Sequence, residues 1–248
     1  IYTVQCEHIQ GSWDCRNPVQ SPVANLKVRL AINYAVNIDA IIKEVLEGQA
    51  IRTATPLTSK HFGYDPKLRP FPHDPARAKK LLAEAGYPNG IDLILNSPSG
   101  RYPKDKEVAE AVAGQLTKVG IRTQLKVHEW TTYMNNIAYR HGGAPMWLIG
   151  WGNTTWDADY TYTPMFRTGQ LLANYWNPDF NALLDDAQVN MDPKKRLEMY
   201  AKASRFFIDD APAIPLYQQI DNYGVSRKLQ WSARPDERIE GFSISLKP

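Results

Sequence analysis

Long apolar runs are missing from this 248-residue chain. No stretch approaches the roughly 20 apolar residues that a helix needs to cross a bilayer. Like charges do not cluster either: 29 Lys and Arg stand against 26 Asp and Glu, a net charge of +3. A nucleic-acid binder normally carries a basic stripe, so that class is set aside. Catalytic signatures are absent as well. There is no G-x-S-x-G elbow, no H-E-x-x-H, no G-x-x-x-x-G-K-[ST] and no G-x-G-x-x-G. The five His are scattered, and residues such as His128 and His141 read as surface or core. An α/β hydrolase, the alternative from another class, needs a nucleophile, a base and an orienting group, and these motifs assemble none.

Cysteine is scarce, with two in the chain. Cys6 and Cys15 lie close together in CEHIQGSWDC. They read as a disulfide closing a short loop, which would place the protein outside the cytoplasm, or as two unrelated thiols. His8 lies nearby, but a C-x-H…C set lacks a fourth ligand and a usual zinc spacing, so no metal site or cofactor is expected. No basic-then-apolar signal segment opens the chain. It begins at Ile1 on the strand-like run Ile1 to Val4, and is expected to be a fragment of a longer protein.

What is present suits a globular α/β protein. With 43% hydrophobic residues, the chain can bury one large core or two smaller ones. Seven Trp and thirteen Tyr suit either a core or a pocket with large, stiff walls. Helical spacing recurs over Val28 to Val36 and Ile38 to Glu47, where Gly48 stops it. Four prolines make 51–73 an extended connection. Asp74-Pro75 caps a further helix that ends at Gly86. Then a strand (91–96), a helix (106–119), a strand (121–127), a helix (131–139) and a short buried strand (146–149) alternate. That order implies a parallel sheet with right-handed crossovers. Residues 150–177 read as irregular. Helices are expected over about 179–189 and 192–208, and an edge strand at 214–217, because proline cannot enter a central ladder.

Ligands bind open parallel sheets beyond the carboxyl ends of the strands. Two loops take that place: Ser97 to Asp105 after the strand at 91–96, and Gly150 to Thr163 after the strand at 146–149. If both strands share a sheet, the loops share a rim. In the first loop, Arg101 and Tyr102 precede a helix. A guanidinium there can hold a carboxylate with two parallel hydrogen bonds, or it can pair with Asp105 on the surface. The second loop, GWGNTTWDADYTY, offers Trp151 and Trp156 for stacking and Asn153, Thr154 and Thr155 for hydrogen bonds. Asp157 and Asp159 are possible partners for an ammonium group. Packing beneath a long loop is the plainer account of its aromatics. Asn153-Thr154-Thr155 is also a glycosylation sequon, a triplet that often arises by chance.

Six stretches in order carry a family likeness: VRLAINYAVNIDAII, DPARAKKLLAEAGYPNG, EVAEAVAGQLTKVGI, GWGNTTWDADY, NYWNPDFNALLDDA and APAIPLY. With these the chain resembles the peptide/nickel class (family 5) of extracellular solute-binding proteins of ABC importers. The resemblance implies a two-lobed, periplasmic-binding-protein-like (Venus-flytrap) protein about twice this length. Residues 1–217 would be its C-terminal lobe, with a mixed, mostly parallel sheet flanked by helices. Residues 218–248 would return to an N-terminal lobe outside this chain. It further implies a peptide-like ligand of the di-/oligopeptide or glutathione type, a membrane permease as partner, and a precursor with a signal peptide. Location would be periplasmic or extracellular, with or without a lipid anchor. A nickel chelate or another small solute is the alternative ligand. Dipeptide binders of the class use an Arg in the loop matching SGRYPKD for the ligand carboxylate, and Arg101 matches it. They use an Asp shortly after G-W for the ligand amine. Three residues after Trp151 stands Thr154, so that role would pass to Asp157 or Asp159, or the amine would be held otherwise.

Overall fold

The structure is a computed structural model that describes residues 2–3, 6–9, 12–18, 21–138 and 145–247, the segments before residue 21 by backbone alone. Tyr2–Thr3 (β1) opens it, followed by Cys6–Ile9 (β2) and Ser12–Pro18 (β3), which pair as an antiparallel hairpin. The side chains of Cys6 and Cys15 lie outside the described residues, and so does the expected disulfide. Leu26–Ala35 (α1) follows, with Asn25 accepting from the Lys27 amide at its N-cap. Ile38–Ala40 (α2) runs on into a π-helical stretch, Ile41–Val45.

Ala50–Arg52 (β4) is a short strand inside the segment expected to be an extended connection. It pairs antiparallel with Tyr217–Gln219 (β8). The expected edge strand therefore starts three residues later than 214, beyond Pro215, whose missing N–H cannot join a ladder. Pro75–Glu84 (α3) carries the Asp74 cap read from the sequence, and Asp74 accepts from the Arg77 amide at 2.9 Å.

The central sheet is built from Ile91–Pro98 (β5), Ile121–His128 (β6) and Met146–Trp147 (β7), in the order β1-β7-β5-β6. β5 runs parallel to both β6 and β7, and β1 runs antiparallel to β7. The sheet is mixed and mostly parallel, as expected. Asp105–Lys118 (α4) makes the crossover from β5 to β6. Trp130–Tyr133 (α5) extends as a π-helical stretch, Met134–Ala138, so the single helix expected over 131–139 changes pitch partway.

Asp159–Phe166 (α6) lies where the sequence reads as irregular. Pro164 inside it and its Thr and Tyr residues are poor helix formers, so local preference hid it. Tertiary packing holds it: Tyr162, Met165 and Phe166 are buried. Pro178–Val189 (α7) and Pro193–Asp209 (α8) match the sequence reading and begin Asn-Pro and Asp-Pro. Leu229–Gln230 (β9) and Ser245–Leu246 (β10) pair in the tail.

Two apolar cores form. One gathers α1, α3 and α4 with Leu93, Leu95 and Met146 of the sheet. The other gathers the aromatic residues of α5 to α8, including Tyr162, Phe166, Phe180 and Phe207, against Trp147. Strand side chains alternate sides, so adjacent residues of β7 enter different cores. Arg29, 3% exposed, bridges distant segments: its Nη2 donates to Asp210 Oδ1 at 2.5 Å, and the Tyr175 hydroxyl donates to Asp210 Oδ2.

Candidate ligand-binding rim

β5 and β7 are parallel neighbours, with Asn96 opposite Trp147, so both strands end on the same edge of the sheet. The Leu148 amide donates to the Asn96 carbonyl and extends the pairing past β7. The two loops predicted to share a rim do so and touch: the Tyr102 hydroxyl donates to the Gly150 carbonyl at 3.2 Å. Burial pushes the Tyr102 phenol up from its ordinary pKa, so the hydroxyl keeps its proton for this bond.

Asp105 shapes the first loop. Its buried carboxylate accepts from the backbone amides of Gly100, Arg101, Tyr102 and Lys106 at 2.8–3.0 Å. Four amide donors hold both oxygens and leave the Arg101 side chain out of the arrangement. Arg101 instead lies over two rings, its guanidinium carbon 5.0 Å from the Tyr102 centroid and 5.2 Å from that of Trp130. Such contacts stabilise an exposed cation by about 0.5–1 kcal/mol and hold the planar group in place. Among the described residues, no carboxylate pairs with this guanidinium.

Trp130 was not singled out from the sequence. It follows β6 by two residues, and β6 is parallel to β5, so the strand-end rule that picked the other loops reaches it too. Its ring packs edge-on to Tyr102 at 6.0 Å and stacks on Tyr133 at 6.0 Å. The Tyr133 hydroxyl donates to the Leu148 carbonyl at 2.5 Å, and burial raises its pKa strongly. An aromatic row thus runs from the first loop to the end of β7.

The second loop divides. Near Gly150, the Trp151 indole N–H donates to the Tyr160 carbonyl at 2.8 Å and its ring packs on Tyr160, leaving much of the indole exposed. Farther on, the side chains turn inward. Asn153 is buried: its Nδ2 donates to the Asp157 carbonyl and Thr161 Oγ1, and its Oδ1 accepts from Thr155 and Trp156. Both Asp157 oxygens are taken by the Arg196 guanidinium, at 2.5 and 2.9 Å. Asp159 Oδ1 accepts from Thr163 and Gln188. Thr154 is exposed, and the Trp156 ring packs on His61 at 5.1 Å. The structure therefore brings Arg101, Tyr102, Gly150 and Trp151 to one rim, and sets Trp156 and Asp157 against the 58–62 segment and α8. The role of Arg196 was not legible in sequence, because it lies 39 residues beyond its partner. Among the described residues, no three His, Cys, Asp or Glu side chains are grouped to hold a metal ion, and no helix is long and apolar enough to cross a membrane.

The family model for bacterial extracellular solute-binding proteins, family 5 (middle), matches residues 10–171, well over half of the chain. The chain belongs to family 5 of the bacterial extracellular solute-binding proteins. Among its family 5 relatives, the heme-binding protein A of Haemophilus influenzae is 31% identical over 82% of this chain and 38% of its own length. The glutathione-binding protein GsiB of Pectobacterium atrosepticum is 33% identical over 80% of this chain and 40% of its own. The dipeptide-binding protein of Pseudoalteromonas sp. SM9913, solved with Met-Leu, superposes with a TM-score of 0.80 at 28% identity, over 91% of this chain and 46% of that one. The chain thus spans less than half the length of these relatives.

Proposed function

We propose that this chain is the C-terminal ligand-binding lobe of the solute-binding component of an ABC importer, working outside the cytoplasm with a membrane permease. Its ligand is peptide-like, and the role is that of a receptor, not an enzyme. Residues 1–217 form the lobe, and residues 218–248 return to a second lobe that closes over the ligand.

One observation carries the reading. At the carboxyl edge of a parallel sheet, the Arg101 guanidinium is laid across Tyr102 and Trp130 and has no ion-pair partner among the described residues. A fixed guanidinium suits a carboxylate, which it meets with two parallel hydrogen bonds. The ligands named for the three relatives above share that group: heme propionates, the two acids of glutathione and the C-terminus of a dipeptide. Trp151, Tyr102 and Trp130 wall the ligand, with Thr154 and Thr155 at the loop's exposed turn. For a ligand amine, Asp159 is the better placed of the two carboxylates. Its Oδ2 makes no hydrogen bond among the described residues, whereas both oxygens of Asp157 are held by Arg196.

Calorimetry on the full-length, two-lobed protein tests this with a tripeptide and its C-terminal amide. Arg101→Ala should weaken the free acid by about 2–5 kcal/mol, the scale for breaking a desolvated charge pair. Amidation should cost the wild type a similar amount and the variant little. Equal affinity of wild type and Arg101→Ala for the free acid would discard the assignment.

A further inference from the structure

Three features meet at the far end of the second loop, away from Arg101. The first is His61. Its Nδ1 accepts from the Thr58 backbone amide at 3.0 Å and lies 2.9 Å from the Thr58 hydroxyl. An acceptor at Nδ1 puts the ring proton of the neutral form on Nε2, and Nε2 is buried with no hydrogen-bond partner. Buried donors are normally satisfied, so an orphan calls for an explanation.

The second is Trp156. Its φ is +57°, in the left-handed region that a bulky residue seldom enters. Asn153 Oδ1 accepts from its amide, and its carbonyl accepts from the Phe62 amide, so the conformation is held from both sides. Backbone strain maintained in this way clusters at binding sites. The third is Lys60, whose ammonium stands 6.0 Å from the Trp156 centroid and, among the described residues, pairs with no carboxylate. Of the carboxylates near His61, Asp157 is neutralised by the Arg196 guanidinium.

From this juxtaposition we infer that Lys60, His61 and Trp156 form a second anion-receiving station, which takes a further carboxylate of a ligand whose first acid group is held elsewhere. Lys60 supplies the charge, and Trp156 supplies a flat wall. The His61 Nε2–H, which has no hydrogen-bond partner in the structure, supplies a directed donor. The station makes the binding protein selective for ligands with two acid groups over those with one. It rests on the receptor reading above and deepens it.

The test uses the full-length protein and tripeptides that carry Glu or Gln at each position in turn, titrated by calorimetry with Trp fluorescence followed in parallel. At one position the wild type should bind the Glu form about 10-fold more tightly than the Gln form. Lys60→Met should bring the two within about 2-fold, His61→Phe should narrow the gap, and Arg101→Ala should weaken both forms alike. Binding of both forms with equal strength at every position overturns the station and leaves the receptor reading standing. So does a Glu preference that survives Lys60→Met. Binding of no tripeptide at all overturns both.

Discussion

Tyr102 reaches across the carboxyl edge of the sheet and donates its hydroxyl to the Gly150 carbonyl, binding the loop after β5 to the loop after β7. The contact is also steric: a Cβ placed on Gly150 would come within 2.8 Å of the Tyr102 ring. The two loops are therefore fitted to each other as well as bonded. Tyr102→Phe should lower stability by no more than about 1 kcal/mol, the scale of one neutral hydrogen bond. Gly150→Ala should displace the ring and with it the support beneath Arg101. Peptide affinity of the full-length protein should then fall more for Gly150→Ala than for Tyr102→Phe, as calorimetry would show.

Gly63 offers a test of the second core. Its φ is +94°, and an added Cβ would lie 2.7 Å from the Ala158 Cβ and 2.8 Å from the Tyr200 Cβ. Gly63→Ala combines backbone strain with overpacking, and should cost about 2–4 kcal/mol in a urea melt. A loss below about 0.5 kcal/mol would show that this segment yields easily.

Arg29 is buried against the half-buried Asp210, while Tyr175 donates to the same carboxylate. Desolvation lowers the guanidinium pKa, and the Asp210 charge opposes that shift. Arg29→Met strands a carboxylate and should cost about 3–5 kcal/mol. The double variant Arg29→Met with Asp210→Leu should recover part of that loss, so a double-mutant cycle separates the pair from the packing.

His61 sets a pH dependence. Burial lowers its pKa in the folded state, against weaker opposing effects from the hydrogen bond with the Thr58 backbone and from the Asp157 carboxylate; the Trp156 ring packs on it, and Lys60, its chain neighbour, carries its charge to the same ring. Above about pH 6.5 the ring is neutral in both folded and unfolded chains, and its contribution to stability is complete. As pH falls below that value the unfolded chain takes up the proton first, so stability declines until the lowered folded pKa is passed. His128, also lowered by burial, adds in the same direction. Urea melts between pH 5 and 8 should show this decline, and His61→Phe should make it shallower. An identical slope in the variant would remove His61 from the account.

Local chemistry made much of the fold readable. Asp74-Pro75 announces α3, and the alternation of Ile121, Thr123, Leu125 and Val127 announces β6. The strand-end rule puts both loops on one rim provided that their strands share a sheet, and β5 and β7 do. Helix α6 was hidden because Pro164 and the β-branched Thr residues argue against a helix, and only burial of Tyr162 and Phe166 overrides them. In the site, Arg101 was legible as a guanidinium beside a helix start. Trp130, 29 residues away, lies within reach of the strand-end rule, but its packing beneath Arg101 is a contact between distant segments. The bidentate hold of Arg196 on Asp157 and the tautomer of His61 are likewise products of distant contacts that no local pattern records.

Strand β7 is two residues long, yet Met146 belongs to one hydrophobic core and Trp147 to the other. Deleting a single residue just before it would shift the register by one, sending the indole into a space shaped for a thioether and Leu148 into the indole's cavity. Neither core could compensate alone, so such a deletion should be felt in both instead of being absorbed locally. A strand this short is a common wall whose every position is spoken for on both sides.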